Sequence, residues 1–182
     1  MSSAAPKRRA DSEASPDARS LTSVAYDAHG LVMGTWKNVA LHVWTTRATP
    51  QLVDELERLT ESFARAHPEG FSAVHIIANG AGLPDNQARD RLRDVANRYV
   101  NQLACLCHVV EGSGFWASAL HSFLTGLHWL TRGPYRLHIC SDLRGAAQWV
   151  PEPHERRTRV SLAEVDLEDA LTYVRARAPR HA

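Results

Sequence analysis

Hydrophobic positions along this chain follow two periods. Short segments in which apolar residues alternate with polar ones or run together predict strands, and turn residues separate them. The turns at His29-Gly30 and Lys37-Asn38 join the first three strands into an antiparallel meander. The predicted strands are Ser23 to Ala28, Leu31 to Trp36, Val39 to Thr45, Phe71 to Ala78, Cys105 to Val110 and Tyr135 to Cys140.

Longer segments with apolar residues three or four positions apart predict helices. Thr49-Pro50 marks a helix start, with Thr as N-cap and Pro in the first turn. Ser161 and Glu164 have the spacing of a capping box for the last helix, and the segment PEPHERRTR before it is predicted to be a connector. The other predicted helices run from about Asp85 to Leu103, from Phe115 to Thr131 and from Leu143 to Trp149.

The order of these elements predicts an α/β fold. Strands and helices alternate after the N-terminal antiparallel hairpin, which implies right-handed crossovers and a mixed, mostly parallel sheet of five or six strands. Residues 1–21 hold too few apolar groups to offset the entropy lost on ordering, so we expect a disordered tail. Residues 22–176 then form one domain, with a short C-terminal tail over 177–182.

Four of the predicted strands each carry one histidine within an apolar run. Alternation places these histidines on one face of the sheet, opposite a wholly apolar set. Because the histidine face also includes Arg136, we expect the helices to lie mainly on the other face and the histidine face to be partly open. It is then a wet polar face or a pH-sensitive subunit interface. The four residues are His42, His75, His108 and His138.

A metal site on these histidines is the less favoured alternative. A zinc site needs three or four converging ligands, and side chains in a row across a sheet converge poorly. We therefore predict no metal and no cofactor. The three cysteines lie in predicted strands and are expected to be buried reduced thiols.

Charge and hydropathy exclude several classes of protein. The formal net charge is +1, which gives no reason to expect a nucleic acid or a membrane as partner. No apolar stretch follows the basic residues near the N-terminus, so no secretory signal is predicted. The longest apolar run, over 115–130, is interrupted by polar residues and is too short to span a membrane. A cytoplasmic protein is expected.

A glycine-rich loop, residues 111–116, precedes the most apolar helix. Its backbone amides can hold an anion at a helix start, and the alternative is that Ser113 is an ordinary N-cap. The chain contains no dinucleotide fingerprint, no Gly-Lys-Ser/Thr and no Gly-x-Ser-x-Gly, so no catalytic residue is predicted. The helix is apolar nearly all round, which places it centrally or against a second copy in a homodimer.

The order of strands and helices over about Ser23 to Arg175, with the run Val109 to Phe115, resembles the STAS or anti-sigma-factor-antagonist-like family. The resemblance implies helices mainly on one face of the sheet and a non-enzymatic regulatory role. It also implies another bacterial regulatory protein as partner. Phosphorylated members carry a Ser or Thr in the loop after the central strand, but the corresponding residues 79–86 include no hydroxyl side chain.

Two functional hypotheses follow. The first is a cytoplasmic protein-interaction module that acts through loops 79–86 and 111–116, because binding surfaces of such sheets lie at the carboxyl ends of parallel strands. The second is a small-molecule or lipid-binding protein with a pocket near the glycine-rich loop. The candidate binding residues are Leu83, Asp85, Gly112, Ser113, Gly114, Phe115 and Trp116.

Overall fold

A computed structural model describes residues 22–28, 30–131 and 133–178. The predicted disordered tail over 1–21 lies outside the described residues. The predicted α/β class is confirmed, and the core is a mixed sheet of six strands that lie in chain order. The strands are β1 Ser23–Ala28, β2 Leu31–Trp36, β3 Val39–Trp44, β4 Phe71–Ile77, β5 Leu103–Val110 and β6 Arg136–Cys140.

Strand direction changes once across the sheet. β1, β2 and β3 pair antiparallel through short turns. β3, β4, β5 and β6 pair parallel, so a helix connects each to the next. The helices are α1 Pro50–Ala66, α2 Asn86–Arg98, α3 Phe115–Thr131, α4 Leu143–Trp149, α5 Pro151–Thr158 and α6 Glu164–Arg177.

Helix α1 begins where the sequence predicts. Thr49 is the N-cap, its side chain accepts a hydrogen bond from the Leu52 amide, and Pro50 occupies the first turn. Helix α2 ends at Arg98, earlier than predicted, because Leu103 instead begins β5 opposite Phe71. An apolar residue at helical spacing therefore belongs to the next strand.

The segment predicted to be a connector is helix α5. Pro151 and Pro153 lie in its first turn, where backbone N–H groups have no intrahelical partner, so proline is tolerated there. The helix ends at Thr158, and its C-cap residue Arg159 adopts the left-handed conformation at φ 64°. Pro-rich composition had suggested a linker, but both prolines occupy helix-start positions.

The predicted capping box is wrong. Helix α6 begins at Glu164, and the N-cap residue Ala163 makes no side-chain capping bond. Ser161 precedes the helix, and its carbonyl accepts a hydrogen bond from Lys37 Nζ at 3.2 Å. This contact and the burial of Leu162 hold the segment outside the helix.

Helices cover both faces of the sheet, which corrects the prediction that they lie mainly on one. Crossovers of one hand between strands in chain order put α1, α2 and α3 on the same face. The chain after β6 then returns across the opposite, mostly apolar face, where α4 and α6 bury Leu41, Ile76 and Val109. Ala178 is also buried in this core, so the domain extends past the predicted boundary at 176.

A buried polar network fixes α5 to the end of the sheet. Ser72 Oγ lies 2.8 Å from His154 Nδ1, and His154 Nε2 lies 2.8 Å from Asn38 Oδ1. The Asn38 amide in turn donates to the Gly70 carbonyl at 3.1 Å. All three side chains are buried, so this Ser-His-Asn arrangement has no access to a substrate and serves to connect α5, β4 and the β2–β3 turn.

This network predicts a pH-dependent stability. Burial lowers the pKa of His154 from 6.5 to about 4, so between these values the unfolded chain binds a proton that the folded protein does not. His154 therefore contributes stability that is present above pH 6.5 and lost as the pH falls towards 4. Protonation of His154 lowers the free energy of unfolding by about 3 kcal/mol over this pH range.

Chemical denaturation at pH 7 and pH 4 measures this contribution. The loss of unfolding free energy between the two values should be smaller by that amount in His154→Gln, whose amide keeps a donor and an acceptor but does not titrate. An equal loss in the variant and the parent protein would contradict the assignment.

Candidate functional site: a cavity over a row of histidines

Three of the four predicted histidines form one row across the centre of the sheet. His42, His75 and His108 occupy matching positions on β3, β4 and β5. The ring centroids of His42 and His75 are 4.5 Å apart, and those of His75 and His108 are 5.2 Å apart. His42 and His108 are buried, and His75 is half-buried.

His138 does not belong to this row. β6 pairs with β5 one residue out of the predicted register, so Ile139 lies opposite His108 and His138 lies opposite Cys107. A shift of one residue moves a side chain to the other face of a sheet. His138 accordingly stacks on Trp149 of α4, with the ring centroids 4.7 Å apart.

The histidine face is covered, so the prediction of a partly open face is wrong. Leu56 of α1, Leu92 of α2 and Leu120 of α3 pack over it together with Trp44 and Ile77 from the sheet. Enough residues between the histidines are apolar to pack against three helices, and Arg136 lies with His138 on the opposite face, over the Trp149 ring. The proposed interface role of His42, His75, His108 and His138 thus loses its premise.

A cavity of about 140 Å³ remains between the histidine row and helices α1, α2 and α3. Its walls are mostly aliphatic and aromatic, and the three histidines are among its few polar groups. An apolar cavity of roughly 150 Å³ accommodates a benzene-sized molecule. Residues from every covering element line it, among them Leu56, Leu92, Val95, Leu120, Phe123 and Leu124.

A second space adjoins the first at His42. This cavity, of about 210 Å³, lies between β2, β3 and α1 and is lined by Met33, Leu59 and Phe63 among others. His42 and Thr60 line both cavities, so His42 is the histidine of the row that borders both spaces.

Hydrogen bonds join Trp44, His75 and His42 in one chain. The Trp44 indole N–H donates to His75 Nδ1 at 3.0 Å, and His75 Nε2 lies 3.3 Å from His42 Nδ1. An indole N–H can only donate, so Nδ1 of neutral His75 accepts and Nε2 carries its proton. His75 Nε2–H therefore donates to His42 Nδ1.

Burial keeps the row uncharged. Desolvation lowers the pKa of His75 from 6.5 to about 4. Desolvation, followed by repulsion from His75, lowers the pKa of both His42 and His108 well below 6.5. His108 Nδ1 is buried and has no hydrogen-bond partner among the described residues. The cavity floor at neutral pH is thus neutral but polar.

The three imidazoles of the row are not grouped as the ligands of a metal ion would be. Across residues 22–28, 30–131 and 133–178, no three His, Cys, Asp or Glu side chains are grouped so as to hold a metal ion. Both nitrogens of the central His75 already take part in hydrogen bonds. The expectation that the protein needs no metal stays a prediction.

The two predicted binding loops do meet. A Cβ atom added at Gly112 would lie 2.6 Å from Asn79 Oδ1, so the loops pack directly on each other. Leu83 is 40% exposed and Phe115 is 91% exposed at this edge, while Trp116 is half-buried against the apolar cluster over the histidine row. The loops therefore combine an exposed edge with one wall of the apolar interior.

Other predicted loop residues have structural roles. Asp85 is the N-cap of α2, and its carboxylate accepts from the Ala88 amide at 2.8 Å. Helix α3 begins at Phe115, so Gly114 rather than Ser113 directly precedes it. Glu111 pairs with Arg175 of α6 through two hydrogen bonds of 2.7 and 2.9 Å, and a carboxylate beside the loop disfavours a bound anion.

Comparison with known proteins identifies no family. No protein-family model matches the chain, and neither does a curated protein. Over the described part of the chain, no helix has the length and apolar character needed to cross a membrane. The resemblance to the STAS family stays a prediction, and the helices on both faces differ from what it implied.

Sequence reasoning missed most of the cavity. Trp44, which orients His75, shares the face of His42 by simple alternation, so the strand pattern signals its position. Leu92 and Leu120 lie on the inner faces of α2 and α3, but nothing in the pattern shows that their packing leaves a space. The cavity depends on how three helices sit on the sheet.

The contact between the loops makes a specific prediction. Gly112 and Gly114 both have positive φ, at 99° and 81°, but a Cβ at Gly114 would have no neighbour within 4 Å. Gly114→Ala should therefore show only the backbone cost, about 1 kcal/mol. Gly112→Ala should cost about 0.5 kcal/mol more, because the exposed Asn79 side chain must turn away from the added Cβ.

Denaturant unfolding of both variants tests this contact. Asn79→Ala in the Gly112→Ala background should recover part of the loss, since it removes the clashing amide. Equal destabilisation by the two glycine variants would show that the loops do not press on each other.

Proposed function

We propose that the protein binds a small neutral molecule in the cavity over His42, His75 and His108. The observation that carries the proposal is an apolar cavity whose floor is a row of three uncharged imidazoles, two of which are joined by a hydrogen bond. Ligand pockets typically combine apolar walls with a few fixed polar groups that orient the ligand. This is the second of the sequence hypotheses, but the cavity lies over the histidine row, and none of residues 111–116 lines it.

The size and charge of the cavity define the ligand class. A volume of about 140 Å³ suits a single aromatic ring or a short branched chain. An anion would lose its hydration in an apolar site that offers no fixed positive charge, since burial lowers the pKa of each imidazole. A neutral ligand is therefore favoured over a carboxylate.

Access to the cavity is proposed at the edge formed by residues 79–86. Ala81, Gly82 and Pro84 line the cavity, and Leu83 is exposed beside them. Binding would thus take place at the carboxyl ends of the parallel strands, where this architecture usually binds ligands. The cytoplasmic location expected from the sequence is part of the proposal.

A protein-interaction module remains the second candidate. Phe115 at 91% and Leu83 at 40% exposure form an apolar edge on the loops that the sequence singled out. Large exposed apolar side chains mark interaction surfaces when they cluster. The candidate partner is another bacterial regulatory protein or a second copy of this chain, as the family resemblance implied.

Filling the cavity tests the first proposal. Ala96 lines the cavity from α2, whereas its neighbour Asn97 is exposed on the same helix. We expect toluene to bind the parent protein and benzoate not to bind. Ala96→Leu should weaken toluene binding by at least about tenfold, and Asn97→Leu should leave it unchanged. Calorimetric titration measures the affinity, and equal toluene affinity in both variants would contradict the proposal.

Exposed side chains test the second candidate. Phe115→Ser should abolish association with a partner that the parent protein captures, because it removes the most exposed aromatic group of the loop edge. Val165→Ser is the control, since Val165 is 72% exposed on α6, away from the loops. Loss of the same partner in both variants, or in neither, would argue against a docking edge at Phe115.

A further inference from the structure

The hydrogen-bond chain on the cavity floor has one possible direction. Trp44 can only donate, so the protons of the chain point from Trp44 to His75 and from His75 to His42. Neutral His42 accepts at Nδ1 and must carry its own proton on Nε2. The chain therefore ends in an N–H donor on His42, which lines both cavities together with Thr60.

No described residue accepts a hydrogen bond from this terminal donor. The contacts of His42 are the bond to His75 and the ring contact with it, and His42 is only 5% exposed. His42 Nε2 is not one of the fully enclosed side-chain atoms that lack a partner, so this N–H stays accessible and can donate to a suitable acceptor. An acceptor supplied by the ligand would complete the chain.

We infer, building on the proposed function, that the ligand is a small neutral carbonyl compound whose oxygen accepts a hydrogen bond from His42 Nε2–H. A ketone, aldehyde or ester oxygen accepts without bringing a proton that needs a partner of its own. The hydrocarbon part of the ligand would contact Leu56, Leu120 and Leu124.

Three probes with one carbon skeleton test this inference: ethylbenzene, acetophenone and 1-phenylethanol. Affinities are compared between proteins rather than between probes, so differences in the hydration of the free probes cancel. His42→Phe should weaken the binding of acetophenone by about fivefold or more. The affinity for ethylbenzene should change by less than about twofold. His108→Phe, which changes the same residue type two strands away in the same cavity, should leave the ratio of the two affinities unchanged.

A spectroscopic measurement does not depend on the folding of any variant. The carbonyl stretch of acetophenone bound to the parent protein should lie at lower frequency than in hexane, because a hydrogen bond weakens the C=O bond. The same low frequency should be seen in His108→Phe. A stretch at the hexane position would overturn the inference.

The outcomes separate the inference from the function on which it rests. If no probe binds, both fail. If acetophenone and ethylbenzene bind but lose affinity equally in His42→Phe, the cavity binds ligands and the carbonyl inference is wrong. A larger loss of affinity for 1-phenylethanol than for acetophenone in His42→Phe would also overturn it.

Discussion

The packing of three helices over a row of histidines is the constraint on which the chemistry of this fold depends. Imidazoles on an open sheet face would be hydrated and would titrate near neutral pH. Under α1, α2 and α3 they lose that hydration, their pKa values fall, and hydrogen bonds to one another and to Trp44 replace water. The result is a polar but uncharged floor beneath an apolar cavity.

Topology explains why both faces are covered. Strands in chain order with crossovers of one hand direct their connecting helices to a single side. The apolar residues on the other face of the sheet would be exposed to water if no helix covered them. The chain after β6 supplies α4, α5 and α6, which cover this face. The Ser72, His154 and Asn38 network then secures α5 against the end of the sheet.

The sequence predicted the elements better than their arrangement. Alternation and helical spacing located six strands, the cap at Thr49 and the start of α2 near Asp85, because these signals are local. Helix α5 was missed because proline favours a helix start as well as a linker. The position of His138 depended on the register of β6, and registers are set by packing between strands that are distant in sequence.

The site was predictable only in part. The grouping of His42, His75 and His108 followed from the strand pattern, but that pattern could not show which face the helices would cover.

The most direct test of the account is the long-range ¹H–¹⁵N NMR spectrum of the histidine rings between pH 8 and pH 5. The account predicts that His42 and His75 stay neutral with the proton on Nε2 throughout, since the pKa of His75 is about 4 and that of His42 lies well below 6.5. Titration of either ring near pH 6.5 would contradict it.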